Sequence, residues 1–384
     1  MTGSNDRVPH IVVMAGEASG DAHAACLVAA LRKEHPDWHF SGIGGAKMQQ
    51  AGVELVQNLD DLNIMGFVEV LRHLRTIRKT FKNIQQHLLA VKPDLLILVD
   101  YPGFNLRLAK WSKLHRIRVL YYISPQLWAW KPNRIKIIQR YVDKMAVIFP
   151  FEKKLYEEAN VPVAFVGHPL VEQVKTTLSQ EAVREKWGIE CNRRLIGLLP
   201  GSRINEVKRV FPAMLEAAKL LCQKHPDLEF VLPVAATLSQ SLFESYAKDD
   251  AVKIHYIRHD AYHAMQICHS LMVTSGTATL EAAMLAKPMV IVYKAALLTY
   301  AAAVKILRVK YIGLCNLLAD KMLVPEIVQQ DLTPEHLFEA VNRFLMDAGY
   351  YQSIEQQLIT IRRKLSSESV DTPLTEVVNA LVRC

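Results

Sequence analysis

His10-Ile-Val-Val-Met-Ala15 runs directly into Gly16-Glu17-Ala18-Ser19-Gly20-Asp21. A short, unbroken apolar run is followed by small and acidic residues and then by a helix-like stretch. An apolar run that does not alternate with polar residues marks a strand covered on both faces, as in a parallel sheet between helices. The pattern recurs in the first half at Asp94-Leu-Leu-Ile-Leu-Val99, Val119-Leu-Tyr-Tyr-Ile123, Met145-Ala-Val-Ile-Phe149 and Val163-Ala-Phe-Val166. In the second half it recurs at Leu195-Ile-Gly-Leu-Leu199, Glu229-Phe-Val-Leu232, Val252-Lys-Ile-His-Tyr-Ile257, Ser270-Leu-Met-Val273 and Met289-Val-Ile-Val292. Strand and helix alternate through both halves, which predicts two doubly wound α/β domains. The break falls within 169–192, a polar, helix-forming stretch without buried-strand character.

The chain has 384 residues, enough for two domains with their own cores. No uncharged apolar stretch approaches the roughly 18 residues needed to span a bilayer. The start, Met1 to Arg7, is polar, and the run after it is too short for a signal peptide, so a cytoplasmic protein is expected. Six scattered cysteines without a C-x-x-C fit free thiols in a reducing compartment and give no zinc pattern. The net charge of +8 is uneven. Between Leu62 and Lys144 there are sixteen Lys and Arg against Glu69, Asp94, Asp100 and Asp143, a net of +12, which leaves −4 for the remainder. A one-sided basic region suits an anionic partner, or serves only as a solvated face. A nucleic-acid binder is not expected, because no aromatic-basic platform or known binding motif accompanies the charge.

In open α/β sheets ligands bind at the carboxyl ends of the strands, so the residues after each run are the candidates. In the second half Leu199 is followed by Pro200-Gly201-Ser202-Arg203, and Val273 by Thr274-Ser275-Gly276-Thr277-Ala278-Thr279-Leu280-Glu281. Gly276 and Thr277 open a helix whose N–H groups and partial positive charge suit a phosphate. Ser202, Ser275 and Thr277 add hydroxyls, Gly201 a second glycine loop, and Arg203 a cation for a diphosphate. Glu281, a turn further in, is placed to accept both hydroxyls of a ribose. Each loop alone is also ordinary turn and cap chemistry. Together they predict a nucleoside diphosphate site. No Asp-x-Asp occurs in the chain, so no metal or other cofactor is expected, with a cation and a helix end neutralising the diphosphate.

In the first half Val99 is followed by Asp100-Tyr101-Pro102-Gly103-Phe104-Asn105. A carboxylate at a rigid strand end, partly desolvated, is the best candidate for a general base, though Asp-Tyr-Pro-Gly is also a good turn. Glu17, Ser19 and Asp21 on the neighbouring loop are candidates to orient a substrate, and Glu17 is the next candidate base. His168, in Gly167-His168-Pro169, either contacts substrate or is a structural hydrogen bonder. Trp128 and Trp130 read as packing residues. A basic amphipathic helix is predicted from Phe67 to Leu88, with Phe67, Val70, Leu71, Leu74, Ile77, Phe81, Ile84 and Leu88 on one face and Arg72, Arg75, Lys79 and Lys82 on another. Such a helix either lies in an anionic membrane surface or packs on the sheet with its basic side in water.

These stretches together, in this order, resemble the lipid-A-disaccharide synthase family from end to end. The resemblance rests on Ala15 to Asp21, Met65-Gly-Phe-Val-Glu-Val-Leu71, Asp100 to Asn105 and Ser124-Pro-Gln-Leu-Trp-Ala-Trp130. It continues through Gly167-His-Pro169, Leu199 to Arg203 with Glu206-Val207, Ser275 to Glu281 and Asn316-Leu-Leu318. Cys315 and Glu172 depart from it, where proline and aspartate would be expected. The resemblance implies a GT-B architecture, two Rossmann-like domains facing each other across a cleft. It divides the chain at 1–170 and 171–349, with 350–384 packing back on the first domain. It also implies an inverting glycosyltransferase that joins UDP-2,3-diacylglucosamine to 2,3-diacylglucosamine 1-phosphate (lipid X). The product is the β-1,6 disaccharide phosphate. Asp100 would be the base, Arg203, Thr277 and Glu281 would hold UDP, and Asn316 would line the same site. The expected place is peripheral, on the anionic cytoplasmic face of the inner membrane, with a homodimer left open. The competing reading is another UDP-sugar enzyme of GT-B shape, such as a peptidoglycan glycosyltransferase or a UDP-sugar 2-epimerase.

Overall fold

The structure is a computed structural model that describes residues 7–59, 74–247, 251–296, 300 and 310–383. The chain forms two compact units, Met1–Pro169 with Ser367–Cys384, and Leu170–Ser366. The first holds seven parallel strands: β1 His10–Ala15, β2 His39–Gly44, β3 Glu54–Asn58, β4 Leu95–Val99, β5 Val119–Tyr122, β6 Lys144–Val147 and β7 Val163–Phe165, in the order β3-β2-β1-β4-β5-β6-β7. The second holds six: β8 Arg194–Leu199, β9 Leu228–Val234, β10 Ile254–Arg258, β11 Ser270–Thr274, β12 Met289–Tyr293 and β13 Glu326–Val328, in the order β10-β9-β8-β11-β12-β13. Every strand pairing is parallel, and the central strands β1, β4, β8 and β11 are buried almost throughout, as their unbroken apolar runs require.

In each unit the strand order reverses once, between β1 and β4 and between β8 and β11. Chain connections leave in opposite directions at such a point and open a crevice at the carboxyl edge. The loops after β1 and β4, and those after β8 and β11, are the ones that carry Glu17, Asp100, Arg203 and Gly276. Four strands carry no unbroken apolar run. In β2 glycine and serine interrupt it, in β10 His255 interrupts it, β3 is only partly buried, and β13 has three residues.

The return to the first unit begins at Ser367 rather than at 350. The helix Ala348–Leu365 buries Ile354, Leu358, Ile361 and Leu365 and packs against the helices Thr277–Met284 and Leu314–Ala319 of the second unit. Only the final helix, Leu374–Arg383, packs on Ala18–Glu34, where Asn379 bonds His35 at 3.0 Å and Glu34 at 3.1 Å.

Over Leu74–Val91 the basic helix takes its packed alternative. Over Leu74–Val91, Ile84 and Leu88 are fully buried in the core under the sheet, with Ile77 and Phe81 packed against them. Arg75, Lys79 and Lys82 are exposed. The described part of the apolar stripe, Ile77 to Leu88, is therefore spent on the core, and over Leu74–Val91 the helix presents charge outward. Phe67 and Arg72, with the Met65–Leu71 stretch, lie outside the described residues. No helix among the described residues is long and apolar enough to cross a membrane.

Candidate active site

In the first unit the site is built around the end of β4. Asp100 and Tyr101 are both in the left-handed region, φ 47° and 48°, a conformation that asparagine and aspartate tolerate better than most residues. The turn is clamped through its backbone. Asp100 N–H donates to the Tyr122 carbonyl at 3.0 Å, and the Asp100 carbonyl accepts from Asn105 Nδ2 at 2.8 Å and from the Tyr121 hydroxyl at 2.7 Å. Asn105 is fully buried and also reaches the Val99 carbonyl at 3.2 Å. Gly16 lies against the Tyr101 ring, where any Cβ would collide with it, so the loops after β1 and β4 meet closely. Burial pushes the Asp100 carboxyl up to about 6, the neighbouring Glu17 carboxylate adds to this, and the Tyr101 N–H opposes it. A carboxylate held rigidly and poised near neutrality suits proton abstraction from a hydroxyl. Glu17 and Ser19 are exposed beside it.

Two other residues of this group do different work. Asp21 is 5% exposed, and its carboxylate accepts from Gly45 N at 2.7 Å, Lys47 N at 3.2 Å and Met48 N at 3.1 Å. It caps the helix Ala46–Gln50, so its carboxylate is a structural acceptor. Gly45 is required there, because a Cβ would stand 2.8 Å from Asp21 Oδ2. Asp21→Ala should cost about 2–4 kcal/mol, more than an ordinary cap, since three N–H groups lose a charged acceptor. Chemical denaturation measures it, and an unchanged midpoint would show that water replaces the carboxylate. His168 is buried against the Phe149 ring, centroids 5.0 Å apart. Burial, with His23 adding to it, holds its imidazole down to about 3, so it stays neutral at neutral pH.

In the second unit both glycine loops line one cavity of about 390 Å³, together with Arg203, Glu206, Thr277 and Glu281. Gly201 has φ +109° and touches Glu206, whose Oε2 would lie 2.6 Å from a Cβ. Glu206 shapes the loop by accepting from Ser202 N at 3.3 Å and pairing with Arg203 at 3.2 Å. Arg203 is otherwise open, with its side chain 82% exposed. The helix Thr277–Met284 points its first N–H groups into the cavity, and a Cβ on Gly276 would meet nothing within 4 Å, so a ligand can reach the backbone there. Ser275 donates its hydroxyl to the Ile312 carbonyl at 3.1 Å. Burial raises the Glu281 carboxyl, and the Tyr262 hydroxyl, 3.2 Å away, partly offsets this. A second cavity of about 350 Å³ adjoins the first, sharing Glu281 and adding Ile257, His259 and Tyr262.

A model of the lipid-A-disaccharide synthetase family matches residues 11–378. The chain belongs to this family. Lipid-A-disaccharide synthase 1 of Legionella pneumophila subsp. pneumophila is 46% identical over 371 residues, 96% of this chain and 97% of that protein. The fold is also similar to UDP-GlcNAc 2-epimerase from Neisseria meningitidis bound to UDP-GlcNAc, with TM-score 0.63, 14% identity and 98% and 100% of the chains covered. It is similar to the calicheamicin glycosyltransferase CalG4 as well, with TM-score 0.60, 14% identity and coverage of 98% and 99%. At such identity the epimerase likeness is one of GT-B fold, so family membership decides the activity. This member of the lipid-A-disaccharide synthetase family is a glycosyltransferase of lipid A disaccharide synthesis, acting on a nucleotide sugar and a lipid-linked sugar.

The family motif misplaces one side chain. Asn316 is fully buried, and its amide is saturated by the Val324 carbonyl at 2.8 Å, Val324 N at 2.9 Å and Glu326 at 2.8 Å. Glu326 in turn accepts from Ile312 N and Gly313 N, both at 2.9 Å. Asn316 therefore fixes the Ile312–Gly313 turn, whose Ile312 carbonyl holds Ser275, and acts through that turn rather than by lining the cavity. Tyr262 is not marked by the sequence, where it is an ordinary helix residue; Glu206 is marked only as part of the family motif, without its role in shaping the glycine loop.

Proposed function

We propose that the chain transfers 2,3-diacylglucosamine from its UDP donor to the 6-hydroxyl of 2,3-diacylglucosamine 1-phosphate (lipid X), with inversion. The observation that carries this reading is the Asp100 carboxyl, half-buried at a clamped strand end and raised to about 6. In one displacement Asp100 takes the proton of the 6-hydroxyl, the oxygen bonds to the anomeric carbon, and the bond to the diphosphate breaks with its electron pair leaving on UDP. Arg203 and the Thr277 helix end take the diphosphate charge, so no divalent cation is needed. Glu281, oriented by Tyr262, holds the ribose hydroxyls, and the base enters the adjoining cavity beside Ile257 and His259. The test is direct: purified protein with both lipids should yield disaccharide and UDP in equal amounts, whereas UDP release without disaccharide would contradict the reading.

Both lipids are acylated anions, and a peripheral position on the anionic cytoplasmic face of the inner membrane fits the exposed basic side of Leu74–Val91. Because the apolar stripe there is buried, the attraction is Coulombic, about 1 kcal/mol per basic residue near such a surface and screened by salt. Replacing Arg72, Arg75, Lys79 and Lys82 together with serine should release the protein from anionic vesicles at low salt, as high salt does for the parent, with UDP affinity unchanged. Sedimentation like the parent's at low salt would make these four residues a solvated face only.

A further inference from the structure

The segment that follows β5 carries charge the transfer has not yet used. Ser124 to Trp130 leaves the carboxyl end of β5, the strand beside β4 and Asp100, and continues as Lys131-Pro132-Asn133-Arg134. The loop is held firmly from within. Ser124 Oγ and the Tyr156 hydroxyl are 2.8 Å apart, Trp128 Nε1 donates to the buried Glu152 carboxyl at 3.2 Å, and Ala129 N and Trp130 N both reach the Gln126 carbonyl at 3.1 Å. Its two ends are in the left-handed region, Ile123 at φ 65° and Lys131 at φ 51°. For a β-branched residue and a lysine this is costly backbone, of the kind kept where a site needs it.

On this frame two cations share one ring. Lys131 Nζ lies 4.6 Å and Arg134 Cζ 5.1 Å from the centre of the Trp130 indole. Among the described residues neither has a carboxylate at ion-pair distance. Two cations placed on one indole, neither of them in an ion pair, can take an arriving anion. Arg134 is also near the catalytic edge. Its charge acts on Tyr121, opposing the burial that keeps that phenol protonated, and the Tyr121 hydroxyl donates to the Asp100 carbonyl at 2.7 Å.

We propose that Lys131 and Arg134, steadied on Trp130, bind the phosphate monoester of the acceptor. This rests on the reading above that the acceptor is a sugar 1-phosphate. A guanidinium fork and a compact ammonium together suit a phosphate dianion. The topology suits the sugar as well. β5 pairs with β4, so the segment after β5 leaves the same edge of the sheet as Asp100, and in the acceptor the 6-hydroxyl and the anomeric phosphate stand at opposite ends of one pyranose ring. A base after β4 and an anion site after β5 would hold the acceptor at both ends, with its 6-hydroxyl turned to Asp100.

The experiment measures binding of 2,3-diacylglucosamine 1-phosphate, and of the same lipid without its phosphate, in neutral detergent micelles. The proteins are the parent, Lys131→Ala, Arg134→Ala and the double variant, with thermal melting as the check that each is folded. The parent should prefer the phosphorylated lipid. Each single variant should weaken its binding about 10- to 100-fold, the double variant should lose the preference, and binding of the unphosphorylated lipid should hold. In turnover the loss should fall on KM for the phosphorylated acceptor, with kcat kept. A parent without preference, or a double variant that binds both lipids as the parent does or loses both alike, overturns the proposal. So does a loss seen only on anionic vesicles, which would make the pair a membrane contact. If the phosphate preference follows the two cations but no disaccharide forms, the proposed reaction fails and the anion site stands.

Discussion

Asp100→Asn should leave UDP binding at the parent's level and slow turnover by about 10²–10⁴-fold, the usual cost of losing a general base. Asparagine is a clean replacement, because it nearly matches aspartate in shape and tolerates the left-handed backbone at φ 47°. The two main clamps on residue 100, from Asn105 and Tyr121, go to its carbonyl and survive the change. Stability provides a second readout. The folded pKa of Asp100 is raised to about 6 from 3.8. A raised carboxyl contributes its stability below the unfolded value and loses it as pH climbs through the folded one, so at pH 7 and above the ionised group opposes folding. Asp100→Asn should therefore melt no lower than the parent at pH 8, and the parent should gain on the variant only towards pH 4. An inactive, destabilised variant would point to structural damage, and near-parental turnover would move the base elsewhere, with Glu17 next in line.

Arg203→Ala should weaken UDP binding by about 1.5–3 kcal/mol, roughly 10- to 150-fold, the worth of a charge-assisted contact to a diphosphate. Among the described residues Arg203 pairs only with Glu206, at 3.2 Å on an exposed side chain, which is a weak contact for a phosphate to displace. The variant should be folded normally for the same reason. If the arginine and the helix end carry the leaving-group charge, EDTA should leave the parent's rate unchanged. Calorimetry with UDP and a chelation series on the full reaction separate the two claims. Inhibition by EDTA that added Mg²⁺ reverses would replace this account of the diphosphate.

The sheet cores and their switch points were readable because unbroken apolar runs such as Leu95–Val99 and Leu271–Val273 carry a strong signal, and topology then fixes where ligands approach. The pairing of Asp100 with Glu17 and the union of Gly201–Arg203 with Ser275–Glu281 followed from that rule alone. What a side chain touches did not follow. Asp21 lies one turn beyond Glu17, at the start of the helix Ala18–Glu34, but its partners are Gly45, Lys47 and Met48 on another element, and no local pattern announces a cap made at that sequence distance. Asn316 shows the same limit, since a motif marks a residue without saying whether its amide faces a ligand or Val324 and Glu326. The amphipathic helix left two readings open because a stripe looks alike whether it faces a core or a bilayer, and only the burial of Ile84 and Leu88 separates them. Trp130 read as packing, yet it is half-exposed under two cations, a placement that periodicity cannot reveal.

The dependence of kcat/KM on pH, measured for the parent and for Glu17→Gln, tests the central claim most directly. With Asp100 as the base, the parent should lose activity on the acid side through an apparent pKa near 6, because the carboxylate must be ionised to accept the proton. Glu17 raises that value by its negative charge, so Glu17→Gln should move the acid limb to lower pH while retaining activity. An acid limb that stays in place in Glu17→Gln, or that persists unchanged in the residual activity of Asp100→Asn, would contradict the assignment of Asp100 as the base.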